Sequence, residues 1–153
     1  MEKKRLILWI VVVLTIGFIF GQSLFDQDTS KKQSVAVQEK VVEPVHKALT
    51  GEDTIHYDIR DVAHTVEFAI LGLELVLLIR SKRRVFGCLK SISYCGFAAL
   101  IDESIQHFSG RAPQLIDIWH DVLGAVVGSV IGLIIVTLIK RAKRTEVEIE
   151  EKR

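Results

Sequence analysis

The sequence predicts an all-α integral membrane bundle of four transmembrane helices, with both termini cytoplasmic and short amphipathic helices in the outer loops. Three observations predict it. Apolar residues gather in four long runs instead of spreading at the period of a surface helix or strand, and they raise mean hydropathy to +0.32 over 153 residues. Basic residues cluster where the runs end: Lys3, Lys4 and Arg5 before the first, Arg80, Lys82, Arg83 and Arg84 between the second and third, Lys140, Arg141, Lys143 and Arg144 after the last. Most of the remaining charge within and beside the later runs falls at their opposite ends.

The length suits one domain, and a net charge of +1 conceals this segregation. A nucleic-acid binder would gather its basic residues on one folded face, so no nucleic-acid partner is expected. Basic clusters that abut apolar runs follow the positive-inside arrangement. The expected organisation is one membrane domain over 1–145, interrupted by an extracytoplasmic loop at 26–61 and ending in a charged cytoplasmic tail at 140–153.

The first helix, about 6–25, is apolar except for Thr15, Gly17 and its last polar turn. Its Lys-Lys-Arg start suits a signal peptide, but Phe20-Gly21-Gln22-Ser23-Leu24 offers no clean small-x-small cleavage site, so the segment reads as an uncleaved span. The loop at 26–61 sets Val35, Val37, Val41, Val42 and Val45 among Lys, Gln and Glu. That pattern suits amphipathic turns lying on the outer membrane surface. Pro44 can open a short helix there, and Gly51 can stop it. His46 and His56 receive no role.

The second helix, about 62–79, is an impure apolar run. Arg60, His64, Glu67 and Glu74 fall within about 80° of one another at 100° per residue, and so share one face. A carboxylate facing lipid at the bilayer centre costs roughly 2.5–3.5 kcal/mol. The stripe should therefore face protein or water. In the third helix, about 85–104, Lys90 can snorkel towards the inner surface, and Ser91, Ser93, Gly96, Ala98 and Ala99 suit close packing. Cys88 and Cys95, the two cysteines, lie roughly 10 Å apart along this helix, too far for a disulfide, and read as buried thiols. The chain then turns near Gly110, with Pro113 available to begin the fourth helix, about 117–139. Gly124, Gly128 and Gly132 make a flat strip on it for packing against another helix.

With this topology the Arg60, Asp102 and Arg111 regions all reach the outer side. Asp102 and Gln106 are one turn apart, as are Glu103 and His107, and Asp117 and Asp121. Arg60, His64, Glu67, Asp102, Glu103, Gln106, Arg111, Asp117 and Asp121 are the candidate ligand-binding or catalytic residues. The guanidinium groups can clamp a carboxylate of the chain or a phosphate of a lipid. One alternative is an ion-pair network that only fixes how the helices dock. Against it, two arginines and one histidine leave five nearby carboxylates under-compensated, and an acidic surplus within a membrane points to function. A divalent cation is also compatible, with His64, Glu67 and Asp102 as candidate ligands. His107 and His120 read as interfacial.

Arg60-x-x-x-His64 with Glu67, Ala69 and Leu71-Gly72, then Asp102-Glu103-x-x-Gln106, Gly110-Arg111 and Asp117-x-x-x-Asp121-x-x-Gly124-x-x-x-Gly128, together with the Gln22-Ser23 region, resemble the VanZ-like proteins of bacteria. The resemblance spans nearly the whole chain. Position 121 departs from it, since Asn is common there in that family. The resemblance implies a multi-pass protein of the bacterial cytoplasmic membrane, and a link to low-level resistance to the lipoglycopeptide teicoplanin without remodelling of peptidoglycan precursors. It implies no reaction.

Two readings stay open. In one, the outward-facing polar residues bind a membrane lipid, a lipid-linked envelope component or a lipoglycopeptide. In the other the protein is a hydrolase or transferase in which His64, Glu67 or Asp102 acts as general base or holds a metal, and Arg111 stabilises developing charge. Four spans are few for a transporter unless the chain forms an oligomer.

Overall fold

A computed structural model describes residues 2–25, 35–50, 59–79, 81, 83–110 and 115–151. Its helices are α1 (Glu2–Ser23), α2 (Glu43–Thr50), α3 (Ile59–Leu78), α4 (Arg84–Phe108) and α5 (Leu115–Glu151), with a π-helical turn over Gln38–Val42 ahead of α2. Every regular element among the described residues is helical. Pro44 sits at the start of α2, where it has no N–H to give to the preceding turn, and the wider π turn directly before it absorbs the mismatch. Val35, Val37, Val41 and Val45 remain exposed, so this segment keeps its apolar side chains out of the bundle core.

The four long helices alternate in direction; α3 and α4 each pack against all the others, and the most extensive pairing is that of α3 with α5. The α3 face Phe68, Leu71, Leu75 and Leu78 forms the core with Val12 and Ile19 of α1, Cys95, Ala98 and Ala99 of α4, and Ala125 of α5. Large apolar side chains otherwise point outwards: Trp9, Leu14, Phe18, Phe97, Trp119 and Leu138 are each at least half exposed. A water-soluble bundle would reverse that distribution. α1, α4 and α5 are long and apolar enough to cross a membrane. By the same measure α3 is not, because its 20 residues carry Arg60, Asp61, Glu67 and Glu74. Glu67 and Glu74 lie on the face that α3 turns to α1, while its opposite face, with Val62, Val66 and Ile70, is exposed. Glu74 is buried and accepts a 3.0 Å hydrogen bond from the Thr15 hydroxyl of α1.

α3 and α5 meet backbone to backbone. A Cβ on Gly124 would run into the carbonyl of Thr65, and one on Gly128 into the carbonyl of Ala69. From the other side, a Cβ on Gly72 would lie 2.6 Å from the carbonyl of Ala125. Ser91 Oγ donates to the Gly72 carbonyl at 2.8 Å, and Ser129 Oγ donates to Ser91 Oγ at 3.0 Å, tying α4 and α5 to α3 at the same level. The free thiols Cys88 and Cys95 are both buried.

Two helices run further than their apolar stretches. α4 continues to Phe108 and ends at Gly110, whose φ of +81° is the left-handed conformation that terminates helices. Asp102 and Gln106 are thereby held on a helix and aimed inwards. α5 extends through the charged tail, with 37 residues spanning about 55 Å against a hydrocarbon core of about 30 Å. Its last turns are exposed, and Arg144 and Glu148, one turn apart, favour the helix.

Candidate functional site

At the end of the bundle where α1 and α4 finish and α3 and α5 begin, polar side chains from all four helices converge. The sequence places them there simply. In α3, Arg60, Asp61 and His64 occupy the first two turns and Glu67 the third, while Asp102 and Gln106 lie in the last two of α4. Asp117, His120 and Asp121 occupy the first two turns of α5, and Gln22 and Ser23 close α1.

Asp102 is the centre. It is fully buried, its Oδ1 accepts a 2.6 Å hydrogen bond from Ser23 Oγ, and its Oδ2 accepts one of 2.6 Å from Gln106 Nε2. Gln106 Oε1 in turn accepts a short hydrogen bond from Arg60 Nη2. The direction of this chain is dictated by its ends. Arginine only donates and an ionised carboxylate only accepts, so Gln106 must turn its oxygen to Arg60 and its amide hydrogens to Asp102. Arg60 also lies 3.6 Å from Asp117 Oδ2.

Beside this chain, His64 Nδ1 stands 4.0 Å from Asp102 Oδ2 and 3.8 Å from Asp121 Oδ1. Both aspartates are buried. Glu67 is held by Gln22, whose Nε2 donates to Oε1 at 3.1 Å. Nearer the rim, His120 Nδ1 lies 3.8 Å from Asp61 Oδ2, and these two with Asp117 form a second, partly exposed grouping. Glu103 is half-buried next to Asp102 in sequence, on the α4 turn that leads to the rim.

Of the predicted residues, Arg60, His64, Asp102, Gln106, Asp117 and Asp121 are connected by these contacts, and Glu67 stands beside them, bonded to Gln22 of α1. Arg111 lies outside the described residues. His107 is exposed. Asp61 does not stand out in the sequence, and Gln22 and Ser23 do so only within a poor cleavage site and a family resemblance. Their signal was position: all three stand one helix turn or less from an end that the topology brings to the carboxylates. The expectation that Arg60 serves an outside anion meets a guanidinium already engaged with Gln106 and Asp117. A cavity of about 330 Å³ opens at the other end of the bundle, lined by Val76, Leu133, Val136, Arg84 and Lys140 among others, and none of its lining residues is a carboxylate.

The arrangement divides into a floor and a rim. His64, Asp102, Gln106 and Asp121 form the buried floor, and Arg60, Asp61, Asp117 and His120 form a partly exposed rim. Such a surface can accept hydrogen bonds from hydroxyls, amides or amines, and can hold a cation. A sequence model of the family described as VanZ/LLP1 matches residues 6–137 of the chain. No curated protein and no solved structure matches it.

Proposed function

The chain belongs to the VanZ/LLP1 family, and from that premise we propose a small bacterial cytoplasmic-membrane protein that binds a lipid-linked envelope component or a lipoglycopeptide at its polar end. The observation that carries this reading is the surplus of carboxylates there: Glu67, Asp102, Asp117 and Asp121 gather around Arg60 and His64 inside a bundle whose outside is apolar. Structural glue needs balanced pairs, whereas a donor-rich head group supplies the balance from outside. The sugar hydroxyls and amide N–H groups of such ligands suit the carboxylates of the rim, and an acyl tail would run along the apolar flank of α5.

Four spans follow from the same reading. α1 finishes at the polar end, α4 begins at the basic end, and α3 between them is about 30 Å long, which supports a fourth crossing. Arg84 and the Lys140–Arg144 cluster share the end where Lys3, Lys4 and Arg5 start the chain, which supports a cytoplasmic side for both termini. A membrane-impermeant maleimide should label Phe108→Cys in intact cells and Val147→Cys only after lysis. The reverse labelling would invert the topology and place the carboxylates on the wrong side.

Binding is tested by mass spectrometry of the protein released from membranes with its bound lipid. A lipid-linked component should accompany the wild type and be lost from Asp117→Ala, with a parallel loss of any protection against teicoplanin in a susceptible host. Equal retention by the variant would discard the reading. A second reading, a hydrolase or transferase, is favoured by one feature: His64 is flanked by two carboxylates that can orient it as a general base. In that case His64→Gln abolishes turnover and leaves the bound component in place.

A further inference from the structure

We infer that His64, Asp102 and Asp121 form a divalent-cation site that takes zinc or manganese. This deepens the reading above at one point, the charge that balances the buried carboxylates.

The distances carry the first step. His64 Nδ1 is 3.8 Å from Asp121 Oδ1 and 4.0 Å from Asp102 Oδ2, and one ligand atom from each of the three residues lies within 4.8 Å of the others. A direct N–H···O hydrogen bond would close to about 2.7–3.2 Å. Neither pair does so. Ligand atoms about 2.0–2.2 Å from a shared ion stand roughly 3.0–3.5 Å apart. The three groups are therefore too far apart to bond one another and need only a small rotation each to bond a common centre.

Asp121 carries the second step. It is 3% exposed and its buried Oδ1, aimed at His64, accepts no hydrogen bond. A buried carboxylate oxygen without a donor is costly unless a cation faces it. Asn would fill the same space at that position and could donate, so an acid here exchanges a hydrogen bond for charge.

The surroundings of Asp102 carry the third. Ser23 and Gln106 each bond one of its oxygens, and Arg60 locks Gln106. Outer groups that fix a ligand carboxylate in this way are the usual support of a metal centre, and each oxygen keeps a second lone pair for the ion. One imidazole nitrogen with two carboxylate oxygens suits a borderline divalent ion. Calcium and magnesium favour oxygen alone, and the thiols that a soft ion would seek, Cys88 and Cys95, lie on α4 nearer its basic end. Three protein ligands also leave a position open towards the rim, where an oxygen of the proposed ligand could enter.

The test is metal content. The full chain, purified in detergent with its affinity tag removed, is exposed to excess Zn²⁺ or Mn²⁺, desalted and measured by inductively coupled plasma mass spectrometry. About one ion per chain is expected for the wild type with one of the two metals. Asp121→Asn and His64→Ala should hold at least tenfold less, while Glu74→Gln, on the same face of α3 but outside the triad, should load normally. Circular dichroism identifies any variant that has lost its helices. The wild type alone decides if both variants unfold, because metal should then raise its own unfolding temperature. Loading below one-tenth of an ion per chain with both metals, or equal loading of wild type and folded variants, overturns the site. No lipid or antibiotic enters the measurement, so its failure leaves the binding reading intact, and failure of lipid retention leaves the metal count intact.

Discussion

Gly128→Ala should lower the stability of the bundle by about 1–3 kcal/mol, towards the upper end of what overpacking costs. The added methyl group would be driven into the carbonyl of Ala69, and backbone of a packed helix cannot swing aside as a side chain can. α3 and α5 would have to separate. That separation would also loosen the contact of Gly124 with Thr65 one turn away, and with it the approach of Asp121 to His64. The same substitution at Gly96, where nothing lies within 4 Å of the new methyl group, should be neutral or stabilise by about 0.5–1 kcal/mol through the helix preference of alanine. At Gly132 the new group would meet the side chain of Val76 at 3.1 Å and the carbonyl of Leu73 at 3.3 Å, a milder contact that a small shift of a few tenths of an ångström relieves. Unfolding of the purified variants by denaturant titration in mixed detergent micelles orders the three. A Gly128→Ala variant as stable as Gly96→Ala would mean that α3 and α5 do not meet through backbone.

The glycine strip of α5 was legible because four-residue spacing of glycine in an apolar run has few other uses. Its counterpart was harder to read. Thr65, Ala69 and Gly72 on α3 are small for the same reason, yet they sit in a helix whose polar stripe draws attention to Arg60, His64, Glu67 and Glu74. That stripe was correctly oriented by period alone, since a charged face of a helix surrounded by lipid has only one place to go. What period could not supply is the partner. Thr15 and Ser23 look like tolerated hydroxyls in an apolar helix, but they donate to Glu74 and Asp102 from across the bundle. Between membrane helices there is no hydrophobic contrast to mark the contact face, so pairing rests on small residues and single hydrogen bonds that carry little sequence signal. Asp61 was missed likewise: its nearness to His120 depends on how α5 is rotated against α3, which the Gly124–Thr65 contact sets.

Asp102→Ala and Asp102→Asn should part company, and the difference separates scaffold from function. Alanine removes the acceptor for both Ser23 and Gln106, in a fully buried position. Hydrogen bonds between membrane helices average about 0.6 kcal/mol, so their loss alone accounts for little more than 1 kcal/mol. The larger part comes from what stays behind. Ser23 and Gln106 would keep their donors in a low-dielectric interior with the acceptor gone, and each buried polar group left unsatisfied costs about 1–3 kcal/mol. Asparagine can keep both contacts, with its oxygen turned to Gln106 Nε2 and its amide donating to Ser23 Oγ, a hydroxyl that can reverse its role. It removes only the charge. The expected result is that Asp102→Ala fails to accumulate or melts early, whereas Asp102→Asn keeps near wild-type helicity and stability. If the carboxylate is there to hold a cation or to take part in chemistry, Asp102→Asn nevertheless loses metal and any protection against teicoplanin. If the network is glue alone, Asp102→Asn keeps every property of the wild type while Asp102→Ala loses them with the fold. Denaturant titration, metal content and susceptibility measured on the same two variants distinguish these outcomes.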